Sequence, residues 1–261
     1  PPLNEHMQGK VVAVSGATIG IGLWTARALG KMGATVIVMG RTEAKANAAA
    51  IWLKEKTGRD AYHPFAGDMS KPGEIAAMGQ AITQQFPAID VLVNNAGVYN
   101  HKRKKNEEGL ELTFAVNHLG FYRTTYHLLP SLLAAPAARI VVVSSDAHKH
   151  ARLDMDNLQL EGNYSGLKAY CNSKLCNIYF TYQLAELLEG THVTVNALHP
   201  GAVGSRFSRN FPFPLGPLFK LIAISPEKGA KPSVYLASSP EVAGLSGRYF
   251  DRMQEAPSTP L

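Results

Sequence analysis

The sequence predicts an α/β fold: one domain built on a doubly wound sheet of about seven parallel strands, with helices on both faces. Three observations predict it. Short β-branched runs alternate with helical patterns along the whole chain, as they do when helical crossovers join parallel strands. The runs are continuously apolar, which marks strands buried on both faces. The first run passes through a glycine-rich turn directly into a helix.

At 261 residues the chain can enclose one large core, and no linker or internal repeat divides it. Its 46% hydrophobic and 18% charged residues exclude a disordered protein. A net charge of +6 raises the question of nucleic acid. The basic residues are scattered, however, except for His101-Lys102-Arg103-Lys104-Lys105, and no nucleic-acid motif accompanies them. That run reads as a solvated loop, the alternative being contact with an anion or membrane surface. Cys171 and Cys176 lie five residues apart on different faces of one helical pattern, giving neither a disulfide nor a metal site. This fits a reducing, cytoplasmic setting, as do the lack of a membrane-length apolar run and of a visible signal peptide. The domain is expected over residues 8–255, with flexible ends at 1–7 and 256–261.

Taken in order, Lys10 to Ser15 is the first strand, followed by Gly16-Ala17-Thr18-Ile19-Gly20-Ile21-Gly22 and a helix to about Lys31. Glycines there let the backbone approach a pyrophosphate, whose charge sits on the free amides of the helix N-terminus. The second strand, Thr35–Met39, ends at Gly40-Arg41, where an acidic residue would bind the ribose hydroxyls of NAD. Arginine there suits the extra phosphate of NADP, so NADP(H) is expected over NAD(H). A helix follows over Thr42–Lys56, then a third strand within Ala61–Phe65. Asp68 either caps the next helix, Pro72–Gln85, or binds an adenine amino group. The fourth strand, Ile89–Val93, stops at Asn94-Asn95-Ala96-Gly97, at the carboxyl end where open sheets bind ligands. A long helical pattern from about Glu107 to Leu133 buries Asn117 among apolar neighbours. The fifth strand, Arg139–Val143, presents Ser144 and Ser145 at its end, and the sixth, Val193–Ala197, leads to His199-Pro200-Gly201. From Ala202 to Ile224 four phenylalanines stand among prolines; they either line an apolar substrate pocket or pack the loop onto the sheet, and contact with a membrane is a lesser reading. Ser225-Pro226-Glu227 begins a helix that runs to about Ala237, and Arg248-Tyr249-Phe250 is the last strand.

The centre of the chemistry is Tyr170-Cys171-Asn172-Ser173-Lys174. The helical pattern beyond it puts the phenol and the ammonium on one face. A nearby ammonium should lower the pKa of a phenol, making it a proton donor and acceptor for an alcohol or carbonyl.

Together these motifs resemble the short-chain dehydrogenase/reductase family, whose order and spacing they follow from about Lys10 to Phe250. Val116-Asn-His-Leu-Gly120, Ser144-Ser-Asp-Ala-His148 and Ala169-Tyr-Cys-Asn-Ser-Lys-Leu-Cys-Asn-Ile178 resemble the retinol dehydrogenase-like branch, which includes the oxidoreductase domain of the WW-domain-containing oxidoreductase. The resemblance implies a Rossmann-type fold and a set of roles. Tyr170 would be the acid/base, Lys174 would lower its pKa and bind the nicotinamide ribose, Ser145 would hold the substrate oxygen, and Asn117 would keep a relay water by distorting its helix. Ser15, Gly16, Thr18, Ile19, Gly20 and Gly22 would surround the cofactor phosphates, and Arg41 would take the 2′-phosphate. Asp68 and Met69 would meet the adenine, Asn94, Ala96 and Gly97 the ribose side, and Pro200, Gly201, Val203 and Ser205 would complete the cofactor site. The implied activity is NADP(H)-linked interconversion of an apolar carbonyl and its alcohol. A cofactor-binding scaffold with vestigial activity, or another NADP(H)-linked reaction on the same fold, are the alternatives. The resemblance also implies association through the two long helices, whose apolar faces permit a homodimer or tetramer, a monomer being the alternative.

Overall fold

Valine, isoleucine and methionine fill successive positions of the first two strands because helices cover each strand on both faces. The structure, a computed structural model, describes residues 7–203 and 224–258. In chain order β1 (Val11–Ser15), α1 (Gly20–Lys31), β2 (Thr35–Gly40), α2 (Glu43–Thr57), β3 (Tyr62–Ala66), α3 (Pro72–Gln85) and β4 (Val91–Asn94) form the first half. A short α4 (Leu112–Phe114) passes through a π-turn (Ala115–Leu119) into α5 (Gly120–Ala134), followed by β5 (Ala138–Val143) and α6 (Gly166–Leu187). After these come β6 (Val193–His199), α7 (Pro226–Ser238), β7 (Arg248–Asp251) and β8 (Gln254–Glu255).

Among the described residues the strands form one sheet in the order β3-β2-β1-β4-β5-β6-β7-β8. Seven strands are parallel; the eighth, beyond the expected number, is a two-residue antiparallel return against β7. Val12, Val14, Val36 and Val38 pack with Leu29 of α1, Leu53 of α2 and Leu236 of α7. Ala13, Ile37 and Met39 point the other way, toward Ile75 of α3, Phe121 of α5 and Ile178 of α6. The chain moves outward from β1 through β2 to β3, then crosses back to lay β4 on the other side of β1. That reversal opens a crevice beyond the carboxyl ends of β1 and β4.

β3 closes one edge of the sheet. Val36 N donates to Ala61 O and Gly67 N to Gly40 O, so the bonds to β2 fall on alternate residues and Pro64 lies on the free side. A residue without an N–H at that position discourages pairing with another strand.

Two expectations need correction. The helix expected from Glu107 starts only at Leu112. Gly109 takes φ +79°, and the Asn106 side chain accepts from Glu108 N at 3.1 Å and Leu110 N at 2.9 Å, closing a turn instead. The folded part also extends past the expected bounds. Met7 is buried in the core, and the Ser258 hydroxyl stands 2.6 Å from that of Tyr182.

Candidate active site

The crevice is built first from glycines. Gly16 and Gly20 take φ +65° and +59°, a left-handed conformation that side chains disfavour. A Cβ on Gly22 would stand 2.5 Å from Asn95 Nδ2 and 2.9 Å from the Gly16 carbonyl carbon, so the turn closes only around a hydrogen. Ser15 ties this turn to the end of β4: its hydroxyl accepts from Asn95 N at 2.9 Å and Ala96 N at 3.1 Å, while Asn95 Nδ2 donates to Ser15 O at 2.9 Å. At the start of α1, Ile19 makes no side-chain cap, whereas Thr42 caps α2 and Ser165 caps α6. The first amides of α1 therefore face the crevice, suited to an anion.

At the end of β2 the place of a Gly40 Cβ is taken by Thr18 Cγ2 at 2.7 Å and Ala46 Cβ at 3.1 Å. Arg41 next to it is exposed. The Asp68 carboxylate closes the turn before α3, accepting from Ser70 N at 2.9 Å and Ser70 Oγ at 2.8 Å; the N-cap position belongs to Lys71, which corrects the capping alternative. Met69 packs its sulfur 3.4 Å from Thr124 Oγ1 in the core, so only its main chain lies toward the crevice. The same holds for Asn94, fully buried and donating to Thr125 Oγ1 at 2.9 Å. Strand alternation sends Asn94 inward and leaves Asn95 on the crevice side. The resemblance named Asn94 for the ribose side, but its side chain is turned into the core and the neighbouring Asn95 amide lies at the glycine turn. A Cβ on Gly97 would make only ordinary contact with Asn117. Gly201 takes φ +90°, and Val203 pairs with Ile224 in an isolated parallel bridge beyond Pro200. Ser205 and the phenylalanines of the 202–224 stretch lie outside the described residues.

The second half of the site stands on β5 and α6. Ser145 accepts from Ala147 N at 3.2 Å, and its hydroxyl lies near enough to the Tyr170 phenol to act on its pKa. Ser144 points away, donating to Lys174 O at 2.8 Å inside the core. Lys174 is buried, with Nζ donating to Val143 O at 2.9 Å. The ammonium nitrogen lies 5.6 Å from the Phe121 ring centroid and 5.7 Å from that of Tyr170. Asn117 occupies the π-turn, fully buried, its amide exchanging hydrogen bonds with Val98 N (2.8 Å) and Val98 O (3.0 Å) and reaching Ser173 Oγ at 3.1 Å. The distortion expected at Asn117 is therefore present. Tyr99, which sequence reasoning did not single out, packs edge-on to Tyr170 at 6.2 Å between ring centroids.

The electrostatics run opposite to the simplest expectation. Burial pushes the Tyr170 phenol up to about 12, against which the hydrogen bond from Ser145 works in the lowering direction. Burial also brings Lys174 down to about 7. Desolvation is the largest cause at both groups, and both are drawn toward their neutral forms.

A dinucleotide cradle at the switch point beside a serine–tyrosine–lysine cluster defines the class: an oxidoreductase acting on alcohols and carbonyls. The family model for short chain dehydrogenases matches residues 10–212. Human retinol dehydrogenase 14 is 41% identical over 95% of this chain and 80% of its own length, and human retinol dehydrogenase 13 is 38% identical over 98% and 81%. Among solved structures, 3-ketoacyl-(acyl-carrier-protein) reductase from Brucella melitensis, complexed with NADH, superposes with a TM-score of 0.74 at 26% identity, covering 94% of this chain and 96% of that one. The short chain dehydrogenase from Shigella flexneri superposes with a TM-score of 0.76 at 24% identity, covering 97% and 94%. The chain belongs to the short chain dehydrogenase family, in its retinol dehydrogenase-like branch.

Proposed function

We propose that the protein is an NADP(H)-dependent enzyme that interconverts an apolar aldehyde or ketone with its alcohol, using Tyr170 as the acid/base. The observation that carries the reading is the buried Lys174 ammonium 5.7 Å from the Tyr170 ring centroid, on a helix whose Tyr170 phenol is also within reach of Ser145. The residues fit a nicotinamide dinucleotide, since a Cβ would fill the cradle at Gly16 and Gly22. When bound, that group supplies the hydride. Gly16 to Gly22 and the first amides of α1 would hold its phosphates, and Arg41 its 2′-phosphate. Asp68, Asn94, Ala96 and Gly97 would meet the adenosine side, and Pro200, Gly201, Val203 and Ser205 the remainder.

The chain's own residues handle the proton. A phenol held near 12 carries its proton at neutral pH and can deliver it to a carbonyl oxygen. Ser145 orients that oxygen toward Tyr170. A lysine near 7 retains an exchangeable proton next to the phenol and can restore it. Tyr99 packs edge-on against Tyr170, so an aromatic ring borders the phenol, and the retinol named in the relatives is an apolar alcohol. Two free cysteines support a reducing, cytoplasmic location, and no described helix is long and apolar enough to cross a membrane. Exposed Tyr122, Tyr126 and Leu187 on α5 and α6 support association into a homodimer or tetramer.

Fluorescence titration of NADPH and NADH tests the cofactor assignment. Arg41→Ala should weaken NADPH binding roughly ten- to a hundredfold, the worth of a charge-assisted hydrogen bond, and leave NADH unchanged. Equal binding of both cofactors, insensitive to this change, would place the preference elsewhere. Tyr170→Phe should abolish NADPH consumption with a panel of apolar aldehydes; unchanged turnover removes Tyr170 from the chemistry.

A further inference from the structure

Asn117 is held at three atoms, two on its side chain and one on its main chain. Its main-chain carbonyl accepts a hydrogen bond from Asn177 Nδ2 at 3.0 Å. Asn177 is fully buried on α6, one turn beyond Ser173, so the two α6 side chains grip the π-turn together. The other end of the Asn177 amide faces His118, whose Nδ1 stands 3.3 Å from Asn177 Oδ1.

The chemistry of these groups orients the whole chain of contacts. A carbonyl only accepts, so the Asn177 amide must turn its NH2 toward Asn117 O. Its oxygen is thereby left toward His118 and also only accepts, so the imidazole is the Nδ1–H tautomer. Burial lowers the pKa of His118, so the neutral ring is the form present at neutral pH. Phe114 and Phe180 flank the ring at 5.2 and 6.4 Å between centroids and fix its plane.

We propose that His118 and Asn177 are positioning residues: they lock the Asn117 carbonyl to α6 and thereby set the helix that carries Tyr170 and Lys174 in register with the cofactor loop at Val98. Both lie in the two motifs that marked the branch, Val116–Gly120 and Ala169–Ile178, and neither touches a reacting atom. The inference rests on the reading of Tyr170 as the acid/base. The phosphate cradle is built on β1 and α1, away from this contact, so loosening it should disturb the chemical step more than cofactor binding.

The test compares His118→Phe, which removes the donor while keeping a ring, with His118→Asn, whose amide nitrogen can replace Nδ1. Turnover of an aldehyde that the wild type reduces is measured with NADPH, with Tyr170→Phe as reference. His118→Phe should lower kcat roughly three- to tenfold, the loss of one buried hydrogen bond, with KM for NADPH within roughly twofold; His118→Asn should restore most of kcat. Amide hydrogen exchange across residues 112–121 in the cofactor-free protein should quicken in His118→Phe and not in His118→Asn. Asn177→Leu gives a second route to the same loss. Equal kcat in both His118 variants, or slower turnover with unchanged exchange across the π-turn, would overturn the proposal. Failure of Tyr170→Phe to abolish turnover would instead overturn the reading on which it rests.

Discussion

Lys174 shows how burial outweighs a sequence rule. A lysine at position four after a tyrosine promised a charge that would lower the phenol, yet both side chains enter a desolvated wall beside Phe121, and each is drawn toward neutrality. The consequence for stability has a definite sign. Between about 7 and the ordinary value of 10.5, the folded chain holds fewer protons at Lys174 than the unfolded chain. Stability therefore rises with pH across that window, by at most about 1.4 kcal/mol per unit from this one group, and the cost is fully present below it. Chemical denaturation of the cofactor-free wild type should show this slope relative to Lys174→Met, in which it disappears. A difference between the two that does not vary with pH would mean that the ammonium is solvated. Of Ser144 and Ser145 the resemblance named the second; what becomes of the first is a matter of packing. Adjacent residues at a strand end point to opposite sides, and only the packing of α6 shows that Ser144 is spent on Lys174 O.

At the scale of elements, the start of α4 depends on a buried carboxylate. Glu111 accepts from Thr113 N at 2.9 Å, Phe114 N at 2.7 Å and the Tyr164 hydroxyl at 3.1 Å. Tyr164 also donates to Asn100 O at 2.9 Å, so this one residue joins the helix leading to Asn117, the loop after β4 and the stretch before α6. Burial raises the Tyr164 phenol to about 12, so it remains a donor throughout the working range. Glu111→Ala would leave the Thr113 and Phe114 amides without their acceptor, while Tyr164 keeps Asn100 O, and a loss on the order of 3 kcal/mol is expected from chemical denaturation. A loss below roughly 1 kcal/mol would show that these donors find other acceptors. The helix pattern itself was legible from apolar spacing. Its start was not, because the Asn106 turn and the Glu111 cap use polar residues that also suit a helix surface. The basic run before it is partly tied down: Arg103 donates to Gln159 O at 2.9 Å and pairs with Glu161 at 3.3 Å.

For the whole molecule, binding at the switch point should stabilise the fold by mass action. A cofactor at a hundred times its dissociation constant contributes roughly 2.7 kcal/mol, which for a domain of this size raises Tm by roughly 5–10 °C. NADPH should do this for wild type in a thermal shift experiment. Gly22→Ala should respond by less than roughly 2 °C, since its methyl group would meet the Gly16 carbonyl and the Asn95 amide. An equal rise in both would put the phosphates outside the glycine turn.

By itself the sequence determined the α/β class, the succession of strands and helices, the glycine turn and the tyrosine–lysine spacing, because periodicity and turn chemistry act over a few residues at a time. The tertiary structure alone decided that the Asn94 side chain turns inward beside Asn95, that Ser144 is spent on Lys174 O, and that Asn177 grips the Asn117 carbonyl. Those outcomes depend on burial and on hydrogen bonds between residues 30 to 80 positions apart, whose energies are set by the packed surroundings and not by neighbours along the chain.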